Sequence, residues 1–195
     1  MEPLILASSS RRRKDLMELL GVPFQVVPSL AREELIRARC PQELATQAAR
    51  LKAYEVAGRY PARWVIGADT DVWVDGMSLG KPRDEEDARR MLRLLQGKVH
   101  LVVTGVCVVC IDKGLEKTSA VSTLVQMRQM SEQEVAWYVS TGEPLDKAGA
   151  YGIQGLGGIF VSSIQGSYTN VVGLPLSELV LILRELGAWD FLRPQ

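Results

Sequence analysis

Short apolar runs alternate along the chain with stretches whose apolar residues recur at helical spacing. "LILA" (4–7) predicts a buried strand. A helix is expected from near Ser10, with Leu16, Leu19 and Leu20 on one side and Gly21 as its stop. "FQVV" (24–27) predicts a second strand, and "SLAREELIRARC" a loop with a turn of helix. Pro41 opens a helix to about Gly58. "WVIGADTDVWV" (64–74) predicts a strand that ends in an Asp75-Gly76 hairpin turn. Asp84 caps a helix to about Leu95, with Ala88, Met91, Leu92 and Leu95 inward and Gly97 at its end. Residues 100–112 and 118–128 read as long strands, and Ser131 with Glu134 as a capping box for a helix through about Ser140. "AGAYGIQGLGGIFVSSIQGSY" is glycine-rich with one strand inside, and Pro175 opens a last helix to about Leu186. Consecutive long strands after residue 100 point to a mixed sheet rather than a purely parallel one. No repeat, low-complexity tract or linker interrupts the pattern, so residues 1–195 read as a single α/β domain.

Composition narrows the function classes. Lysine plus arginine and aspartate plus glutamate number 23 each, which argues against a general nucleic-acid or membrane coat. Any anion site must therefore be local. No apolar run reaches the roughly 18 residues of a membrane span, and "MEPLILASSS" lacks the character of a signal peptide, so the expected setting is cytoplasmic. Cys107-Val-Val-Cys110 has CxxC spacing but lies in the apolar run "GVCVVCID", which predicts a buried strand with its thiols on opposite faces. A single histidine, His100, argues against a histidine triad or a histidine-rich metal site.

Several polar residues stand out against this background. "LASSSRRRKDL" (6–16) sets hydroxyls and four successive cations, Arg11 to Lys14, after a strand and at a helix N-terminus. Free backbone N–H groups and the helix dipole suit an anion there, although a capped, solvated helix start fits the segment as well. Neither a P-loop nor a Rossmann fingerprint is present. Lys52 falls within a stripe of Ala45, Ala48, Ala49 and Val56, so its stem either snorkels to solvent or sends its ammonium into a cleft. In "GADTD", strand alternation puts Gly67, Asp69 and Asp71 on one face, the two carboxylates roughly 6–7 Å apart. That pair suits a divalent cation or a base acting on water; a strand ending in a polar turn is the alternative. Lys81 and Glu33 are bland alone. "DKAGAYGIQG" (146–155) joins glycines that permit close approach to a ligand with Lys147, Tyr151 and Gln154, whose amide could read a base edge. Together Ser8, Ser10, Arg12, Arg13, Glu33, Lys52, Asp69, Lys81 and Gln154 offer cations for a polyphosphate, acids for a metal and a water, and an amide for a base. That set suits nucleoside triphosphate hydrolysis.

Over nearly its whole length the sequence resembles the Maf family of nucleotide pyrophosphatases. The likeness rests on "LASSSRRRKDLMELLGVPF", "AARLKA", "GADT", "LGKPRDEEDARRML", "GEPLDKAGAYGIQGLGG" and "GSYTNVVGLPL", in the family's order. The resemblance implies a long, bent mixed sheet with flanking helices, similar to inosine triphosphate pyrophosphatases, in two lobes around a cleft. It implies hydrolysis of a nucleoside triphosphate to the monophosphate plus diphosphate with a divalent cation, magnesium or manganese. Asp69 would be the general base and, with Glu33, would place the metal. Ser8, Ser10, Arg12, Arg13, Lys52 and Lys81 would hold the phosphates. Arg12, Thr70 and Gln154 occupy the positions that divide the family by substrate, and this trio resembles the dTTP/UTP subgroup. A homodimer is the expected assembly, with no nucleic-acid or membrane partner.

Three positions depart from the family pattern. Arg11 replaces a usual proline. Arg32 replaces an acid that commonly precedes Glu33. Asp71 replaces an apolar residue, and it either joins Asp69 at a metal or is an exposed turn residue. Two other functions compete with the enzyme. One is a non-catalytic nucleotide-binding regulator of cell division or growth arrest. The other is nucleic-acid binding through Arg11–Lys14, against which the zero net charge and the lack of a second basic run argue.

Overall fold

The computed structural model describes residues 2–32, 36 and 38–189. In chain order its elements are β1 (Leu4–Leu6), α1 (Arg11–Glu18), β2 (Phe24–Val26), α2 (Pro41–Ala57), β3 (Val65–Val74), β4 (Met77–Ser78), α3 (Glu85–Leu95), β5 (Val99–Cys110), β6 (Leu115–Met127), α4 (Glu132–Ser140), β7 (Val161–Gln165), α5 (Tyr168–Val172) and α6 (Leu176–Glu185). Three short 3₁₀ turns fill the glycine-rich stretch between α4 and β7. The seven strands form one sheet in the order β2-β1-β3-β5-β6-β7, with β4 paired to β3. It is mixed, as expected: β1 runs parallel to β2 and β3, whereas β3–β4 and β6–β7 are antiparallel.

Local chemistry explains where elements begin. The Asp84 carboxylate accepts from the Asp87 N–H at the start of α3. Ser131 and Glu134 complete the reciprocal capping box of α4. Pro41 stands at the first turn of α2, where its missing N–H costs nothing. Asp75 (φ 51°) and Gly76 (φ 78°) both take the left-handed conformation that a two-residue hairpin demands, and they pair Val74 with Met77.

The chain divides into two compact units. The first comprises Met1–Asp69, Thr104–Val121 and Gly173–Gln195. Its core joins Ile5, Ala7, Val27 and Val65 to Ala49, Ala53, Val56 and Ala57 of α2, with Cys107 and Val109 of β5. Small side chains let α2 lie against the sheet. A methyl group added at Gly67 would fall 2.2 Å from the Ala49 carbonyl oxygen, and one at Gly105 would fall 2.2 Å from that of Ala45. Both glycines therefore admit the helix backbone itself.

The second unit comprises Thr70–Val103 and Ser122–Val172. Ala88, Met91, Leu92 and Leu95 of α3 pack on Val72, Val74, Val102, Val125, Tyr138 and Phe160. Burying each large side chain of that face contributes about 1.5–3 kcal/mol. Among the described residues no helix is long and apolar enough to cross a membrane.

Candidate functional site

β1 ends at Leu6, and the backbone then turns so that Ser8 is buried while Ser10 caps α1. The Ser8 Oγ accepts from the Ser10 N–H at 3.2 Å and from Arg13 Nη1 at 3.2 Å. A hydroxyl oxygen has two lone pairs, so these bonds leave the Ser8 proton as the group it can offer a ligand. Ser10 Oγ in turn accepts from the Arg13 N–H at 3.5 Å. Arg13 Nε donates to the Gly173 carbonyl at 2.8 Å, which ties the guanidinium to the start of the chain's last segment. The two serines and Arg13 thus form one connected group at a helix N-terminus, the arrangement that favours an anion. Arg12, beside it on α1, is half-buried, whereas Arg11 is exposed.

The second group grows from the glycine contact. Because α2 sits directly on Gly67, its residue 52 comes within reach of the strand two residues further on. Lys52 Nζ lies 2.6 Å from Asp69 Oδ1, with the two side chains only 15% and 17% exposed. The lysine in the alanine stripe therefore neither snorkels nor stands alone; it meets the aspartate. β1 and β3 run parallel with Leu6 beside Ile66, so Ser8, just past the end of β1, and Asp69, in the middle of β3, both lie beyond that pairing.

Among the described residues no group of three or more His, Cys, Asp or Glu side chains could hold a metal ion. Magnesium does not need such a cluster. It binds through one or two carboxylates together with substrate phosphates and waters. Asp69, with one oxygen turned to Lys52, fits that requirement. Glu33, the other expected ligand, lies outside the described residues.

The remaining expected residues belong to the second unit. Thr70 is half-buried, and Lys81 and Gln154 are exposed. Asp71 is no exposed turn residue: it is 6% exposed and holds the hairpin, with Oδ2 accepting from Ser78 Oγ at 2.6 Å and Oδ1 from its neighbour's N–H at 2.9 Å. Lys147 and Tyr151 are engaged within the fold. The Lys147 ammonium donates to the Glu143 carbonyl and to Asp146, and the Tyr151 hydroxyl bonds His100 Nε2 at 2.8 Å. Cys107 and Cys110 are both buried and free, and burial pushes the Cys107 thiol up to about 12, so this CxxC is structural.

Two constellations had no sequence signal. Arg50 and Tyr54, one turn apart on α2, both bond Glu116 of β6. In the second unit the Glu143 carboxylate accepts from the N–H groups of Leu156 and Gly157 and from the Tyr138 hydroxyl, which itself accepts from the Gly152 N–H. This clamp fixes the loop that bears Gln154.

Comparison with known proteins bears out the family resemblance. The family model described as "Maf-like protein" matches residues 3–186. A protein named dTTP/UTP pyrophosphatase from Thermococcus onnurineus (strain NA1) is 52% identical over 184 residues, covering 94% of this chain and 97% of its own. One of the same name from Syntrophus aciditrophicus (strain SB) is 45% identical over 190 residues, covering 97% and 93%. Among solved structures, the Ham1 protein of Staphylococcus aureus superposes with a TM-score of 0.47 at 15% identity, over 65% of this chain and 72% of its own. With a family match over almost its entire length and relatives near half identical, the chain belongs to the Maf-like family.

Proposed function

We propose that this protein is a nucleoside triphosphate pyrophosphatase that hydrolyses dTTP and UTP to the monophosphate and diphosphate, with a divalent cation. The observation that carries the reading is the Lys52–Asp69 pair at 2.6 Å in the same unit as an arginine–serine anion cradle. The names of the relatives support the substrate class.

In this mechanism the Asp69 carboxylate accepts a proton from water as the water oxygen attacks the α-phosphorus. The bond from that phosphorus to the α,β-bridging oxygen breaks, and diphosphate leaves with the electron pair. Lys52 orients the carboxylate and presents positive charge to the phosphates. Ser8, Ser10, Arg12 and Arg13 hold the triphosphate, Arg13 already aligned by Ser8 and Gly173 before substrate arrives. A cation held by Asp69, with Glu33, would offset charge on the phosphates. Lys81, Thr70 and Gln154 are assigned to phosphate and base recognition on the family resemblance. A cytoplasmic homodimer completes the proposal, the dimer being testable by light scattering.

The test is diphosphate release from dTTP, UTP, CTP, GTP and 7-methyl-GTP with Mg²⁺ or Mn²⁺, for the wild type and Asp69→Asn. Release from dTTP and UTP that vanishes in the variant is the expected result. Turnover of 7-methyl-GTP alone would overturn the substrate assignment. Triphosphate binding with no diphosphate released from any of them would overturn the enzyme and favour a nucleotide-binding regulator.

A further inference from the structure

We infer that Glu116 is a positioning residue for the Lys52–Asp69 pair: from β6, through Arg50 and Tyr54, it holds α2 in the rotation that delivers Lys52 to Asp69. The inference rests on the proposed role of that pair, but its main test does not.

The geometry is that of a helix braced on two flanks. Successive helical residues turn by about 100°, so residues two apart point to nearly opposite sides. Arg50 and Tyr54, four apart, share one side; Lys52, between them, faces away from it. Lys52 reaches β3 through Asp69. Arg50 reaches β6 through a two-point bond to Glu116, Nε to Oε1 at 2.6 Å and Nη2 to Oε2 at 3.1 Å. The Tyr54 hydroxyl adds 2.6 Å to Oε2, and the Arg50 guanidinium lies 4.5 Å over the Tyr54 ring. Between the braces, β5 and β3 pass under the helix at Gly105 and Gly67, and Val65, Cys107 and Val109 of those strands pack with Ala49, Ala53, Val56 and Ala57. Those contacts are apolar and come from short side chains on the helix, so they seat α2 on the sheet without a directional bond. The two carboxylates on either flank supply the directional bonds, and Glu116 accepts three of them. Its ionised form is favoured first by the Arg50 bond and also by the Tyr54 bond, which hold its carboxyl below the usual range. The Cys107 thiol, buried and free, lies 4.0 Å from Glu116 Oε1.

The readout is the reactivity of the Lys52 amine toward an acylating reagent, mapped by mass spectrometry on the whole protein. Asp69→Asn, which removes the partner directly, sets the scale for a released lysine. Glu116→Ala should raise Lys52 labelling at least about twofold, the low end of coupling within one network, with other lysines unchanged. Tyr54→Phe, which deletes a single hydroxyl, should give a smaller rise. Glu185→Gln removes the ion pair that ties Lys117 of the same strand to α6 and should leave Lys52 as in the wild type. Wild-type labelling of Lys52 in Glu116→Ala, while Asp69→Asn raises it, would overturn the inference. If every lysine becomes reactive in Glu116→Ala the fold has melted, and Glu116→Gln and Tyr54→Phe then decide by the same criterion. Turnover forms the second arm: kcat should fall in step with Lys52 release while KM changes less. Release of Lys52 with kcat unaltered would leave Glu116 in its positioning role and overturn the proposed role of the Lys52–Asp69 pair instead.

Discussion

Gly67 lies so close to Ala49 that a methyl group on the glycine would sit 2.2 Å from the alanine's carbonyl oxygen and 2.8 Å from the Ala53 nitrogen. Helix backbone cannot yield as a flexible side chain can. Gly67→Ala must therefore lift α2 off β3, and it should destabilise the protein by about 1–3 kcal/mol in urea unfolding, the usual cost of overpacking. The same shift moves Lys52 away from Asp69, so turnover should fall even at temperatures where the variant stays folded. Gly80→Ala is the control: Gly80 has open space around it and no positive φ, and its replacement should change stability by less than about 0.5 kcal/mol. Equal effects at the two sites would refute the close-packing account.

The Arg13 guanidinium is held at two points before any ligand arrives, by Ser8 Oγ and by the Gly173 carbonyl. Lysine keeps the charge but not the planar fork. Arg13→Lys should accordingly raise KM for a triphosphate by roughly 10–100-fold, the range of one charge-assisted hydrogen bond, with a smaller change in kcat. Ser8→Ala should produce a milder rise. A lysine variant indistinguishable from the wild type would show that charge alone is used and that the alignment is irrelevant.

Much of this was legible in the sequence where the cause is local. The caps at Ser10, Asp84 and Ser131 and the Asp75-Gly76 turn are set by residues within four positions of each other. An alanine stripe singles out Lys52, and strand alternation singles out Asp69. What escaped is long-range. Nothing in the neighbourhood of Arg50 announces Glu116, 66 residues away, and nothing near Arg13 announces the Gly173 carbonyl, 160 residues away. Strand alternation alone puts Asp71 on the face of Asp69 but does not announce its hairpin bond, which arises because turning the chain at Asp75-Gly76 brings Ser78 to the Asp71 carboxylate. α5, five residues long, is too short to show a helical period.

In the second unit the loop from Gly152 to Gly157 wraps a tyrosine–glutamate pair. Methyl groups at Gly155 and Gly157 would fall 2.4 Å from Glu143 Oε2 and the Tyr138 hydroxyl, so the glycines are what let the clamp close. Burial works against ionisation of Glu143, but the Gly157 and Leu156 N–H groups, the Tyr138 hydroxyl and Lys147 outweigh it and hold its carboxyl below the usual range. Glu143→Gln would turn an amide donor toward an N–H donor and should cost about 1–3 kcal/mol. Hydrogen exchange at Gly152, Leu156 and Gly157 should accelerate in this variant and in Tyr138→Phe. Unchanged protection there would mean that the loop holds its shape without the clamp.

The single histidine makes a sharper prediction about pH. His100 is 2% exposed in the second unit, its Nε2 bonded to Tyr151 and its Nδ1 without a partner among the described residues. Burial lowers its pKa from 6.5 to about 4. A base whose pKa is depressed on folding is charged more readily in the unfolded chain. The unfolded state therefore binds the extra proton first, and stability is lost as pH falls from about 6.5 toward about 4. The loss should reach the order of 3 kcal/mol at the acid end, because a tenfold difference in proton affinity between the folded and unfolded chains is worth about 1.4 kcal/mol. Glu116 and Glu143, both depressed carboxylates, lose their own contributions only below the ordinary carboxylate value of 4.5. The interval between pH 6.5 and about pH 5 thus isolates the histidine. Urea midpoints measured across it should fall for the wild type and stay level for His100→Gln, which retains a polar partner for the Tyr151 hydroxyl and cannot titrate. Parallel slopes for the two proteins would assign the acid sensitivity to some other group.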